Sequence, residues 1–284
     1  MNRNDQQQWD LIISPKKNLF NLNLKEVWHY RDLIYLFVRR DFVAKYKQTI
    51  LGPLWFVIQP LLTTLMFTVV FGKIAKIPTD GLPHILFYMS GIVAWNYFAN
   101  CLNGTSNTFI SNAGIFGKVY FPRLVTPISI VISNLLQFFI QFIFLLGFML
   151  FYYLKGASFQ ITWAVALLPL LVLMLAGLGL GFGILISSMT TKYRDLTNLV
   201  RFGVQLWMYI TPIVYPLSEL PEKYRIFIIL NPVTPIIEAF RYALLGKGTV
   251  EAWHLAYSAA FTVILLVFSI AIFNKVEKSF IDTV

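Results

Sequence analysis

Charge is scarce in this 284-residue chain. Asp, Glu, Lys and Arg make up 13% of it, about half the share of a soluble domain. The deficit is local, because several runs of about 20 residues, enough to cross a bilayer, contain none of them. That pattern excludes a water-soluble fold and indicates an all-α polytopic membrane protein. Cysteine is nearly absent as well. The single Cys101 lies in an apolar run, so an intramolecular disulfide is excluded and no Cys/His metal cluster is present. His29, His84 and His254 stand far apart near the expected membrane edges and read as interfacial. No apolar stretch follows the polar opening MNRNDQQQWD within about 30 residues, so no cleavable signal peptide is expected and the first residues are expected to stay in the cytoplasm.

Two further absences bear on energy. Ion-coupled carriers bury an Asp or Glu in a span. Here the acids closest to the membrane are Asp195, at an edge, and Glu238, in a region of short apolar segments. A nucleotide-binding P-loop is missing too. LLGKGT (244–249) comes near it, but Arg241 stands where the first glycine belongs. The chain is therefore expected to be no enzyme and to hold no cofactor, and any uphill work enters through another protein.

What is present is a formal charge of +10 and 57% hydrophobic residues. In a membrane protein such an excess marks cytoplasmic loops and meets anionic lipid headgroups, so nucleic acid is not the expected partner. Residues 1–23 read as a cytoplasmic segment. Residues 24–50 read as an amphipathic interface helix, with Val27, Ile34, Val38 and Phe42 at helical spacing and Lys25, Asp32, Arg39 and Lys47 on another face. It would lie on lipid or pack against a cytoplasmic partner. Residues 51–273 divide into six spans at 54–71, 85–107, 124–154, 161–189, 196–215 and 255–273, and 274–284 form a tail. The second span has a polar half with Asn96, Asn100 and Asn103, and the fourth contains GLGLGFG (177–183), whose Gly177/Gly181 and Gly179/Gly183 pairs allow close helix contact. Six spans put both termini on one side. Sixteen of the 23 Lys and Arg fall on that side, which makes it cytoplasmic.

Two segments do not fit a simple bundle. GIFGKVYFPRLVTP (114–127) is short, broken and basic, and lies on the cytoplasmic side by the charge distribution. It could dock in a cleft of a cytoplasmic motor, with Tyr120 or Phe121 as the anchor, Lys118 and Arg123 as the rim and Pro122 setting the exit angle. Equally, it could be a positive-inside turn with belt aromatics. In residues 216–250, Phe227 to Leu230 and Ile236 to Leu245 are each too short to cross. They suggest a helical hairpin dipping from the periplasmic side, with Glu238 and Arg241 on one face and turned towards a polar pore mouth. A surface loop is the alternative.

RRDFVAKYKQTILGPLWFVIQPLLTTLMFTVVFGKIAKIP (39–78), GKVYFPRLVTP (117–127), YRDL (193–196) and NPVTPIIEAFRYALLG (231–246) resemble the transmembrane permease subunit of bacterial polysaccharide ABC exporters, across nearly the whole chain and in the same order. The resemblance implies a six-span inner-membrane permease that works as a homodimer with two copies of a separate nucleotide-binding subunit, which binds ATP and Mg. It implies an interface helix carrying Arg39, Arg40, Asp41 and Lys45, and a coupling helix within 111–123 whose Gly117, Lys118, Tyr120, Phe121, Pro122 and Arg123 meet the ATPase. It also implies short re-entrant helices in 216–250, on the periplasmic side, where Glu238 and Arg241 would stand at a gate. The substrate it implies is an undecaprenyl-diphosphate-linked glycan. Lys192, Arg194 and Arg201 could draw the diphosphate to a cytoplasmic portal, although positive-inside bias accounts for them as well. Aromatic residues, 17% of the chain, could line a path for sugars or simply fill spans and girdles. Two other functions compete with glycan export. A membrane enzyme such as a glycan acyltransferase would need a catalytic His or carboxylate pair, which the scattered histidines do not provide. A drug or small-molecule exporter of the same superfamily remains the alternative.

Overall fold

The computed structural model describes residues 24–47, 49–190, 193 and 195–280. Every regular element among them is helical: α1 (Leu24–His29), α2 (Arg31–Tyr46), α3 (Trp55–Phe67), α4 (His84–Thr105), α5 (Thr108–Phe116), α6 (Val125–Leu154), α7 (Leu168–Thr190), α8 (Leu196–Ile210), α9 (Glu222–Ile229), α10 (Thr234–Leu245) and α11 (Ala252–Phe280), with short turns of other helical type between some of them.

Among the described residues, five stretches are long and apolar enough to cross a membrane, Gly52–Ile74, His84–Thr105, Val125–Leu154, Trp163–Thr190 and Ala252–Val276, and a sixth if the bent pair α9 and α10 counts as one. The first begins where Gly52, at φ 49, breaks the preceding helix and Pro53 opens the next. Within the expected span over 196–215 the helix stops short, at Ile210. α8 has 15 residues, about 22 Å at 1.5 Å each, short of a hydrocarbon core of about 30 Å. Pro212 accounts for the early end, because it forces the preceding residue out of the helical region and Thr211 is extended at φ −84, ψ 142. At the other terminus α11 runs as one helix from Ala252 to Phe280, so residues 274–280 of the expected tail are helical.

α4 is the axis of the fold. It packs against α3, α6, α7 and α8, and α11 covers the far side of α7. The glycine stretch of α7 makes both contacts possible. A Cβ on Gly179 would stand 2.6 Å from Cys101 Cβ and one on Gly183 2.9 Å from the Leu102 carbonyl oxygen, both on α4. Gly177 and Gly181 face α11 instead, where a Cβ would meet Thr262 at 2.7 Å and Leu265 at 2.9 Å. Two pairs of small residues, offset by two positions, thus seat two different helices on one.

The main apolar core surrounds α4, and a second gathers at the opposite end from the α9–α10 hairpin. There Val27 and Phe37 of the amphipathic segment close over Phe109, Phe116, Phe121, Leu124, Val125, Ile184 and Phe273. One side of α2 therefore rests on its own chain, along α6, with Phe37 buried and Ile34, Val38 and Phe42 half-buried, while Tyr35, Leu36 and Val43 stay exposed.

Candidate functional sites: an exposed loop, a polar groove and a locked hairpin

The 117–123 segment is an exposed tip on a buried base. α5 is tied to α7 by Phe109 N–H donating to Ser187 Oγ at 3.3 Å. It ends at Gly117, after which Lys118, Val119 and Tyr120 project outwards, Tyr120 with 49% of its surface exposed. The expectation of Phe121 as an outward anchor is corrected. Phe121 is 5% exposed and packs edge-on against Phe37 and tilted against Phe116, each at 5.7 Å between ring centroids. Arg123 is not a rim residue either. It is buried, its guanidinium 5.4 Å from the Phe116 ring centroid. Proline at 122 turns the chain inwards just before these side chains, and a phenyl ring gains more by packing against two others than by staying in water. The exposed part of the motif is Gly117, Lys118, Val119 and Tyr120.

On α2, Arg40 pairs with Asp41 at 2.8 Å and lies 4.5 Å from the Phe37 ring centroid, while Arg39 is exposed. The Lys45 side chain, Lys192 and Arg194 lie outside the described residues. Arg201 is described, and it faces a groove.

That groove is open and encloses about 530 Å3. Asn100, Asn103 and Gly104 of α4 line it, with Ser133, Asn134 and Gln137 of α6, Asp41 and Ala44 of α2 and Arg201 of α8. α4 can approach α6 closely because Gly104 has no Cβ, which would sit 2.7 Å from Ile130. The α4 amides were legible in the sequence, whereas the α6 residues were missed. Their signal was present: Ser129, Ser133, Gln137 and Gln141 recur every four residues in an otherwise apolar run, which places them on one helix face.

The hairpin is formed by α9 and α10, bent by 99°. Asn231 organises the corner. Its Oδ1 accepts from Val233 N–H at 3.1 Å, and its Nδ2 donates to Thr211 Oγ1 at 2.9 Å. α10 is embedded in the protein, with Thr162 N–H donating to the Ala243 carbonyl at 3.1 Å and Gly246, at φ 68, closing its C-terminus. No residue of α9 is buried.

Glu238 and Arg241 do share a face, as their spacing requires, but the pore-mouth expectation is corrected. Both are 1% exposed and pair at 2.6 Å. Arg241 also donates to the Pro212 carbonyl at 2.9 Å and lies 3.9 Å from the Phe87 ring centroid, while Glu238 accepts from Thr249 N–H at 3.1 Å. The reason lies in the broken end of α8. A carbonyl left over by the Pro212 break needs a donor in a dry site, and Arg241 reaches it only if a carboxylate compensates its charge. Gly91 leaves the room, since a Cβ there would stand 3.3 Å from Arg241 Nη2. The pair thus ties α10, α4, the end of α8 and the start of the segment after α10.

Comparison with known proteins agrees with this architecture. The chain is 30% identical over 251 residues to an O-antigen export system permease protein RfbA of Klebsiella pneumoniae, covering 88% of this chain and 94% of the relative. It is 26% identical over 264 residues to the protein of the same name from Myxococcus xanthus, covering 92% and 98%. It is also 25% identical over 248 residues to the polysialic acid transport protein KpsM of Escherichia coli, covering 86% and 93%. The family model described as ABC-2 type transporter matches residues 32–245, from α2 through α10, and the chain belongs to that family.

Proposed function

We propose that this chain is the membrane-spanning subunit of an ATP-driven exporter that moves a lipid-linked polysaccharide across the bacterial inner membrane. The observation that carries this reading is the similarity, along nearly the whole chain, to permeases named for O-antigen and polysialic acid export. Those names favour a glycan over a drug-sized cargo. The sequence supplies no P-loop and no carboxylate in the long spans, so a separate cytoplasmic subunit binds ATP and Mg and does the hydrolysis. Two copies of that subunit serve a homodimer of this chain, and α8, too short to cross an undistorted bilayer, makes the sixth crossing together with the residues after Pro212.

The basic α2 end faces the cytoplasm, and both termini lie there. Lys118, Val119 and Tyr120 form the surface that meets the ATPase, and Phe121 and Arg123 hold it in place from behind. A bulky exposed aromatic flanked by a cation has the composition of an interface anchor. Lys192, Arg194 and Arg201 draw the diphosphate of an undecaprenyl-type carrier towards a cytoplasmic portal. The hairpin closes the periplasmic end, with α10 as its fixed half. A reconstitution tests this: the purified chain alone should hydrolyse no ATP, and hydrolysis should appear when its ATPase is added. Turnover by the lone chain would contradict the assignment.

A further inference from the structure

Inside the polar groove, five side chains are neutral hydrogen-bonding groups: Asn100, Asn103, Ser133, Asn134 and Gln137. Two of their atoms lack what such groups require. Ser133 is 7% exposed and its Oγ has no hydrogen-bond partner, and the buried Oδ1 of Asn103 has none either. Buried polar atoms are nearly always satisfied, because leaving one unpaired costs about 1–3 kcal/mol. Both belong to residues that line the groove, where a modest side-chain rotation brings them within reach of a polar ligand.

We propose that this groove is a hydrogen-bonding subsite for neutral sugar units of the transported glycan, and not the seat of its diphosphate. The proposal rests on the glycan-export assignment and adds where the sugar is held. The donor and acceptor inventory decides between the two parts of the substrate. A hydroxyl donates and accepts, and so do an amide and a serine, whichever way the amide is turned. A diphosphate only accepts, so it would use the amide N–H and hydroxyl donors but leave the amide oxygens, Asn103 Oδ1 among them, without a donor. The charge balance agrees. Arg201 is the one cation among the described lining residues, since Asp41 is already paired with Arg40, and a single guanidinium is less than two phosphates require.

Size and composition fit as well. About 530 Å3 lies within the range of small-ligand sites, about 300–1,000 Å3. No aromatic side chain lines the groove among the described residues, so a sugar ring is held by its edge hydroxyls rather than by stacking on its face. Such contacts exchange readily with water, and a transport path needs sites weak enough to release what they bind. The position, between α2 and the cytoplasmic halves of α4 and α6, places the subsite at the start of the path.

The test uses the assembled transporter in cells that make the glycan. A benzophenone amino acid in place of Gln137 should, on irradiation, yield adducts that carry sugar and run as a ladder of glycan lengths. The combined substitutions Ser133→Ala, Asn134→Leu and Gln137→Leu should lower surface glycan about ten-fold, the effect of losing two or three ordinary hydrogen bonds, while membrane insertion and ATP hydrolysis stay near wild type. Adducts that contain phosphate and lipid but no sugar would overturn the proposal, and so would an absence of adducts with normal export by the triple variant. If the wild-type chain itself restores no surface glycan, the export assignment fails, whatever the groove does.

Discussion

Replacing Arg241 by methionine should destabilise the protein more than replacing both members of the Glu238–Arg241 pair. Methionine keeps the apolar stem but removes the guanidinium. Glu238 then remains buried with only the Thr249 N–H at 3.1 Å, and the Pro212 carbonyl loses its donor at 2.9 Å. Phe87 loses the cation 3.9 Å from its ring centroid. Removing one partner of a buried ion pair costs about 3–5 kcal/mol, mostly because the other charge is stranded. A Glu238→Met, Arg241→Met double variant strands no charge. The Pro212 carbonyl is orphaned in the single variant as well, so the cost particular to the double variant is the unpaired Thr249 N–H, about 1–3 kcal/mol, in place of the stranded charge. For a chain of this size about 2–4 °C in melting temperature corresponds to 1 kcal/mol, so the single variant should melt roughly 10 °C below wild type and the double variant between the two. Fluorescence-monitored melting of the detergent-purified chains measures this. A single variant within about 2 °C of wild type, or a double variant less stable than the single, would show that the pair is not the clamp described here.

Three other outcomes follow from the geometry. Gly183→Val should prevent α4 and α7 from packing, since even a Cβ would lie 2.9 Å from the Leu102 carbonyl, and should leave little folded protein on size-exclusion chromatography. Gly147→Val, with open space at its Cβ position, should fold normally. Tyr120→Ala and Lys118→Glu should weaken co-purification of the ATPase without lowering the melting temperature, whereas Phe121→Ala should lower it by the equivalent of about 3–5 kcal/mol. Equal melting temperatures for Tyr120→Ala and Phe121→Ala would refute that division. In a Cys101→Ser background, a membrane-impermeant thiol reagent added outside should label cysteines at exposed α9 positions such as Tyr224 and leave buried α10 positions such as Ile237 unlabelled. Equal labelling of both helices would mean that α10 is no fixed half.

The long spans were legible because about 20 consecutive residues without charge are what a hydrocarbon core demands and what a water-facing helix rarely shows. The glycine pairs of α7 were legible as sites of close contact, although not the division by which one pair seats α4 and the other α11. The short apolar pieces of 216–250 correctly indicated a bend, since prolines at 232 and 235 leave neither side long enough to cross. What failed did so for a common reason: composition does not say which side of a residue its own chain will occupy. Phe121 and Tyr120 are adjacent aromatics in a basic loop, yet one is buried and the other exposed. The difference is set by Phe37 and Phe116, which approach only in three dimensions. Glu238 and Arg241 were placed on one face correctly, but their burial depends on the Pro212 carbonyl, 29 residues away from Arg241. The groove was half visible, in the asparagines of α4, and its other wall was hidden by the apolar average of α6.

Surface glycan in the native host tests the central claim most directly. Deleting this chain's gene should abolish the glycan at the cell surface while its lipid-linked form accumulates at the cytoplasmic face, and the wild-type gene supplied in trans should reverse both changes. Surface glycan that persists unchanged in the deletion strain, with no lipid-linked intermediate accumulating, would contradict the assignment of this chain to glycan export.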